Sequence, residues 1–324
     1  MDKIDVTLPK ISAFTLLALS SLFAALSAVS PISVLGIICT AVSTGTCAVV
    51  CSSRRNLLPL LCALPGFALA WLFWGTPLIA IAAVIPVICV LPVFFAKRFK
   101  LERSTAIAFT AAAFGFGCFL YFMVLVAVKQ GGVGIAEIKT FINGILREFE
   151  TLFAEILGAD EQTVADIINN LILLSPGILI CIFEITAYLA VGVYSFTCRI
   201  FRLDRILLPS YPWKFKMSSV SAYVFCICYL VSVLFGTDRA FSPVIFTAEN
   251  IIQILTPGFI LVGAARSVQR VKTKRGGTLS VIVIVAAFAL MFINPFSFFV
   301  AVSFIGVIET IIEKFASRAG RDTE

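Results

Sequence analysis

Few side chains in this sequence could do chemistry, and they gather in two stretches. The first is residues 169–195, an apolar run whose centre carries Glu184, the most deeply placed charge in the chain. A carboxylate in the middle of an apolar helix costs on the order of 2.5–3.5 kcal/mol on membrane-insertion scales, so it must face the protein interior. On a helix of 3.6 residues per turn, Gly177, Cys181, Glu184, Tyr188 and Gly192 share one face, a small and polar stripe. Leu179, Phe183, Leu189 and Val193 fall on other faces, suited to lipid or packing. Tyr188, one turn beyond Glu184, is placed to hydrogen-bond the carboxyl. The stripe reads as part of a solute or proton site. The plainer alternative is a protonated, internally satisfied acid that holds two helices together.

The second stretch repeats the opening of the first. Asn169 and Asn170 lead through an apolar run to Ser175-Pro176-Gly177, and Asn250 leads through another to Thr256-Pro257-Gly258. Proline has no N–H to give to the residue four before it, so Pro176 and Pro257 release the carbonyls of Ile172 and Gln253, and the adjoining glycines weaken the same turn. Released carbonyls at membrane depth must meet protein, water or ligand. Interrupted spans are the sequence sign of a transporter site. With Asn169, Asn250 and Gln253 close by, they point to an uncharged polar pocket. The binding set expected here is Glu184, Tyr188, Asn250 and Gln253. A simple proline kink is the competing reading.

Other chemistries are disfavoured. The chain has no histidine, which removes the usual general base and the commonest metal ligand, so neither a Ser-His dyad nor an ordinary zinc site can be built. No aspartate lies within an apolar span, and no phosphate-binding glycine loop occurs, so the chain does not hydrolyse ATP by itself. The 10 cysteines fall in or beside apolar spans without a C-x-x-C pair and read as small packing residues. No enzyme activity, metal or cofactor is expected.

The elements that must hold these residues are membrane helices. Of the 324 residues 60% are hydrophobic and 13% charged, against roughly 45–50% and about 25% in soluble domains. Residues 11–53, 56–96 and 104–128 contain no charge, and a crossing needs about 20 apolar residues, so the first two runs each hold a hairpin. Barrel strands would alternate apolar with polar, which these runs do not. The expected fold is an all-α polytopic transmembrane bundle of about ten spans, with eight as the lower count. The spans are 11–29, 32–51, 57–74, 78–96, 104–128, 171–195, 217–235, 250–265, 279–293 and 296–312. Spans 250–265 and 279–293 are short enough to re-enter rather than cross. The organisation is a first transmembrane block (1–128), an outer segment (129–168), a second block (169–316) and a tail (317–324). Asp2 and Asp5 dilute the basic start, so the first span reads as an uncleaved helix rather than a signal peptide.

Charge placement supports the count. With the N-terminus inside, all Lys and Arg other than Lys129, Lys139, Arg147 and Arg239 fall in inner segments, so both termini are expected in the cytoplasm of a bacterial inner membrane. The net charge of +7 is therefore an orienting and lipid-facing charge rather than a nucleic-acid footprint. In the outer segment, Ile135, Ile138, Ile142, Ile145, Phe149, Leu152 and Ile156 repeat every three or four residues, an amphipathic helix that would lie over a vestibule or on the outer leaflet. Gly158 should end it, and Asp160 should cap the next helix. The inner loop carries Arg202, Arg205, Tyr211, Trp213 and Lys214, an interfacial anchor or a docking loop for a partner.

The Pro-interrupted span, the basic, proline and aromatic loop at 202–216, the Asn250 span ending in Arg266 and the last hairpin together resemble the YybS-like family of predicted bacterial membrane proteins, over roughly residues 169–318. That resemblance implies a polytopic fold and no assignable site. Ser20, Ala24 and Ala28, recurring every fourth residue, are similar at the fold level to the motif by which substrate-binding subunits of energy-coupling-factor transporters dock to their energising module. The expected function is a small-solute transport-type subunit, substrate-binding or permease, in the lipid bilayer with a membrane partner or separate ATPase. The alternative is a scaffold or assembly factor acting through its basic loops.

Overall fold

The computed structural model describes residues 8–157, 161–203, 206–208, 217–235, 242–272 and 295–319, and no strand occurs among them. The order is α1 (Lys10–Ser27), α2 (Val34–Arg54), α3 (Ala63–Trp74), α4 (Pro77–Ile81), α5 (Ile85–Arg98), α6 (Arg103–Gln130), α7 (Ile135–Leu157) and α8 (Glu161–Ile200), followed by α9 (Ser219–Phe235), α10 (Ser242–Lys272) and α11 (Pro295–Ala319). Short 3-10 turns occupy Leu58–Cys62 and Ala82–Val84. Six stretches among the described residues are long and apolar enough to cross a membrane: Lys10–Ser27, Val34–Arg54, Leu78–Arg98, Arg103–Gln130, Gln162–Ile200 and Pro243–Ser267. Leu58–Trp74 and Ser219–Phe235 are apolar but shorter. The protein is thus an all-helical, membrane-embedded chain. The expected span 279–293, Gly158, Asp160, Arg205, Tyr211, Trp213 and Lys214 lie outside the described residues.

Two helices differ from the sequence reading. The sixth span and the helix leading into it are one 40-residue helix, α8, that runs unbroken past Pro176. At about 1.5 Å per residue it is roughly 60 Å long, about twice a bilayer's hydrocarbon thickness. Likewise residues 250–265 are the middle of α10, whose 31 residues pass Pro257 without interruption. Residues 250–265 thus belong to a longer apolar stretch, Pro243–Ser267, that is long enough to cross. It starts at Ser242 and Pro243, well before Asn250, with the proline in the first turn where its missing N–H costs nothing.

The chain divides into two compact units. One is Met1–Ile172 with Ile182–Pro209; the other is Leu173–Cys181 with Ser210–Glu324.

In the first unit α1 and α2 are joined by a reciprocal serine pair. Ser20 Oγ donates to the Ser43 carbonyl at 3.0 Å, and Ser43 Oγ donates to the Ser20 carbonyl at 2.9 Å. Neither hydroxyl is left bare in the apolar interior, so the crossing is made by polar groups that water would otherwise hold. Ala24 and Ala28 are buried one and two turns along, packed with Ala70, and the Trp74 indole donates to the Ala25 carbonyl at 3.1 Å. The Ser20, Ala24 and Ala28 stripe is thus covered by this unit's own helices. A second core gathers Cys47, Cys51, Val93, Ala106, Val191, Tyr194 and Leu208. At α7, Phe141 is buried and set edge-on to Phe122 of α6 at 5.6 Å, while Ile135, Phe149 and Ile156 stay exposed.

Three helices of this unit close on a basic residue in the left-handed region: Arg55 after α2 (φ 53°), Lys100 after α5 (φ 55°) and Arg202 after α8 (φ 53°). At α5 and α8 the chain then folds back in a Schellman turn, Leu101 N–H to Ala96 O at 2.8 Å and Leu203 N–H to Cys198 O at 2.8 Å. The positive side chains sit where the helix dipole is negative. Leu8, Ala96, Leu203 and Leu208 share one core, which brings the start of α1 to the ends of α5 and α8.

In the second unit α9, α10 and α11 pack around Ala222, Phe225, Phe259 and Val307. Phe225 meets Phe259 edge-on at 5.2 Å and Tyr229 meets Phe304 at 4.7 Å. Gly263 of α10 and Gly306 of α11 lie backbone to backbone. Near the helix ends Arg266 pairs with Glu313, and Lys314 lies over the Tyr223 ring at 4.9 Å.

Candidate functional site

The polar centre of the second unit is built where α10 meets the Pro176-Gly177 turn of α8. The Asn250 carboxamide lies against that turn. Its Oδ1 accepts from the Gly177 N–H at 2.6 Å, and its Nδ2 donates to the Leu173 carbonyl at 2.8 Å. Those two backbone groups are the donor and acceptor of one rung of the helix ladder. It is the rung next to the one Pro176 cannot make. Nδ2 also donates to the Phe246 carbonyl of its own helix at 2.8 Å. The amide's orientation follows from its partners, since an N–H must face the oxygen and carbonyls must face the nitrogen. Asn250 is thereby fully used.

Gly177 is what allows this approach. A β-carbon there would stand 2.6 Å from Asn250 Oδ1, 2.8 Å from Gln253 Oε1 and 2.9 Å from the Asn250 α-carbon. No side chain fits. Gln253 sits on the same side of α10 one turn on, and its Oε1 is buried without a hydrogen-bond partner. Because Pro257 has no N–H, the Gln253 main-chain carbonyl also lacks its ordinary helical donor. Gly258 is the second close approach, against the Met217 thioether, whose sulfur would lie 2.7 Å from a β-carbon. Pro257 and Gly258 are both buried, whereas Pro176 is exposed.

Beside this group stands a carboxylate that the sequence reading set outside the membrane. Glu249 lies within the Pro243–Ser267 span and accepts from Ser232 Oγ of α9 at 3.2 Å. Gln253 is four positions further on, so both project from one face of α10. The signal for it was present in Ser242-Pro243, a helix start that moves the span upstream of Glu249.

Glu184 and Tyr188 belong to the first unit. Both are half-buried, and the Tyr188 phenol is within electrostatic reach of the Glu184 carboxyl. The face of α8 that packs into this unit is the neighbouring one, Ala187, Ala190, Val191, Tyr194 and Cys198. Its fit is close: Val193 and the Ala190 carbonyl lie against Gly45, and the Phe183 ring lies against Gly115 and edge-on to Phe114 at 5.5 Å. The stripe with Glu184 therefore flanks the packed face, and a β-carbon added at Gly192 would meet nothing within 4 Å. The four expected binding residues form two pairs, Asn250 with Gln253 in the second unit and Glu184 with Tyr188 in the first. Arg202, the described member of the inner loop set, is exposed at the end of α8.

Among the described residues no group of three or more His, Cys, Asp or Glu could hold a metal ion. In comparisons with family models, with curated proteins and with solved structures, nothing matches the chain.

Proposed function

We propose that the protein is a small-solute transport-type subunit of the cytoplasmic membrane, with both termini on the inner side, driven by a gradient or by a separate ATPase. The observation that carries this reading is the Asn250 carboxamide set into the Pro176-Gly177 turn of α8. Main-chain groups opened at membrane depth are tolerated where they line a cavity or meet other protein groups, and broken helices recur at the sites of secondary transporters. Here Asn250 and Gln253 of α10 meet the Pro176-Gly177 turn of α8, and one acceptor there, Gln253 Oε1, has no protein donor.

The test is depletion of solutes from the growth medium, followed by mass spectrometry. A strain lacking the protein should leave at least one small solute unconsumed. The wild-type chain should restore uptake, and Asn250→Leu or Glu184→Gln at equal membrane levels should not. A medium profile identical with and without the protein would sink the transport reading. Purification from mild detergent tests the energising arm by the recovery of an ATPase in fixed ratio.

A further inference from the structure

α6 begins on an unfavourable charge. Its first residue is Arg103, no acidic side chain follows in its first turn, and the Glu102 side chain makes no capping bond. A helix start is electropositive, so it favours carboxylates over guanidinium groups. Arg103 is half-buried, because Ala106 and Ile107, one turn along the same side of α6, belong to the core. That core also holds Ala96 of α5 and Cys198 of α8, whose helices close nearby in the turns at Leu101 and Leu203. The ends of α5 and α8 thus meet the start of α6. They bring further positive charge. The Arg199 guanidinium lies within electrostatic reach of Arg103, and the half-buried Lys97 lies within reach of Lys100 and Cys198. Among the described residues no carboxylate pairs with Arg103 or Arg199. Glu102 is exposed and accepts from Ser104 Oγ at 3.5 Å.

Like charges side by side, at a helix start that is itself positive, repel one another unless an anion joins them. Guanidinium forks match phosphate oxygens, and basic sites between membrane helices take anionic lipid headgroups. An apolar rim adjoins the charge. Phe196 and Ile200 lie on the side of α8 that carries Arg199, and both are exposed. A soluble phosphate would leave those two side chains bare, whereas an acyl chain would lie along them. We propose that Arg103 and Arg199, with Lys97 at the edge, bind the phosphate of an anionic phospholipid where α5, α6 and α8 come together. The site belongs wholly to the first unit and does not depend on the transport reading.

The experiment uses the full chain in nanodiscs that mix phosphatidylcholine with phosphatidylglycerol, and native mass spectrometry of the lipids that stay bound. Phosphatidylglycerol should be retained over phosphatidylcholine. Arg103→Gln and Arg199→Gln should each weaken that preference roughly tenfold, the worth of one charge-assisted bond. Arg55→Gln removes the same charge at the end of α2 and should leave the preference unchanged. Arg199 is exposed, so its variant decides alone should Arg103→Gln fail to fold. An equal loss in all three variants would reduce the effect to net charge and overturn the site. A preference kept in both the Arg103 and Arg199 variants would overturn it as well. Glycerol 3-phosphate that displaces phosphatidylglycerol at equal concentration would mark a soluble phosphate ester as the ligand and overturn the lipid assignment. Asp204 lies outside the described residues. Asp204→Asn should leave the preference as it is, and a preference that arises only in that variant would make Asp204 the counter-ion and sink the proposal.

Discussion

Gly263 and Gly306 face each other so closely that neither can carry a β-carbon: at Gly306 it would run into the Phe259 carbonyl, and at Gly263 into that of Val302. Without a hydrophobic drive between helices in lipid, such backbone contact is what holds α10 to α11. Gly306→Ala should therefore destabilise the protein by about 1–3 kcal/mol, the usual range for overpacking. Gly306→Leu should prevent folding. Unfolding of the purified variants in detergent, compared with Gly144→Ala at a site open on all sides, checks this. Equal stability of the Gly306 and Gly144 variants would contradict the packing.

The carboxamide of Asn250 saturates a main-chain donor and acceptor of another helix. Asn250→Leu should cost about 1–3 kcal/mol by leaving the Gly177 N–H and the Leu173 carbonyl without it. Asn250→Asp keeps an acceptor for Gly177 but turns oxygen toward the Leu173 and Phe246 carbonyls, so it should be worse than leucine. Chemical denaturation ranks the two. An aspartate variant as stable as wild type would show that Nδ2 contributes nothing.

Ser20 and Ser43 each bond the other's carbonyl, so their contributions should not add. A double-mutant cycle with Ser20→Ala and Ser43→Ala should return a coupling of about 0.6 kcal/mol and no more than about 1.7, the range for hydrogen bonds between membrane helices. Additive losses would mean that each serine is satisfied by its own helix instead.

Much of the helix order was legible from runs of uncharged residues alone. The amphipathic helix was read from its three- and four-residue spacing and occurs as Ile135–Leu157. Of the two Pro-Gly turns, the one at Gly177 lies against Asn250 and Gln253, while Gly258 lies against Met217. What escaped were relations between helices. Asn250 looked like a pocket residue, yet it is consumed inside α8, and no local pattern states which backbone a side chain will reach. Glu249 was lost because counting a span from its first long apolar run discards a charged residue near the end. On α8 the sequence stripe through Glu184 is one position away from the packed face, since Phe183 and Ala187 are matched to Gly115 and the small-residue core of the neighbouring helices. Complementarity of that kind is written in two distant segments at once.

The left-handed ends at Arg55, Lys100 and Arg202 imply a compromise between backbone comfort and orientation. Glycine would occupy each position without the β-carbon clash that costs roughly 1–2 kcal/mol for other residues. Replacing all three with glycine should make the folded chain harder to unfold. The same change deletes three of the charges by which a membrane helix chooses its side, so a share of the molecules should insert upside down. Labelling of single-cysteine reporters from each face of the membrane would count them. These three helix ends would then be points where the chain accepts a less stable fold to gain a single direction of insertion.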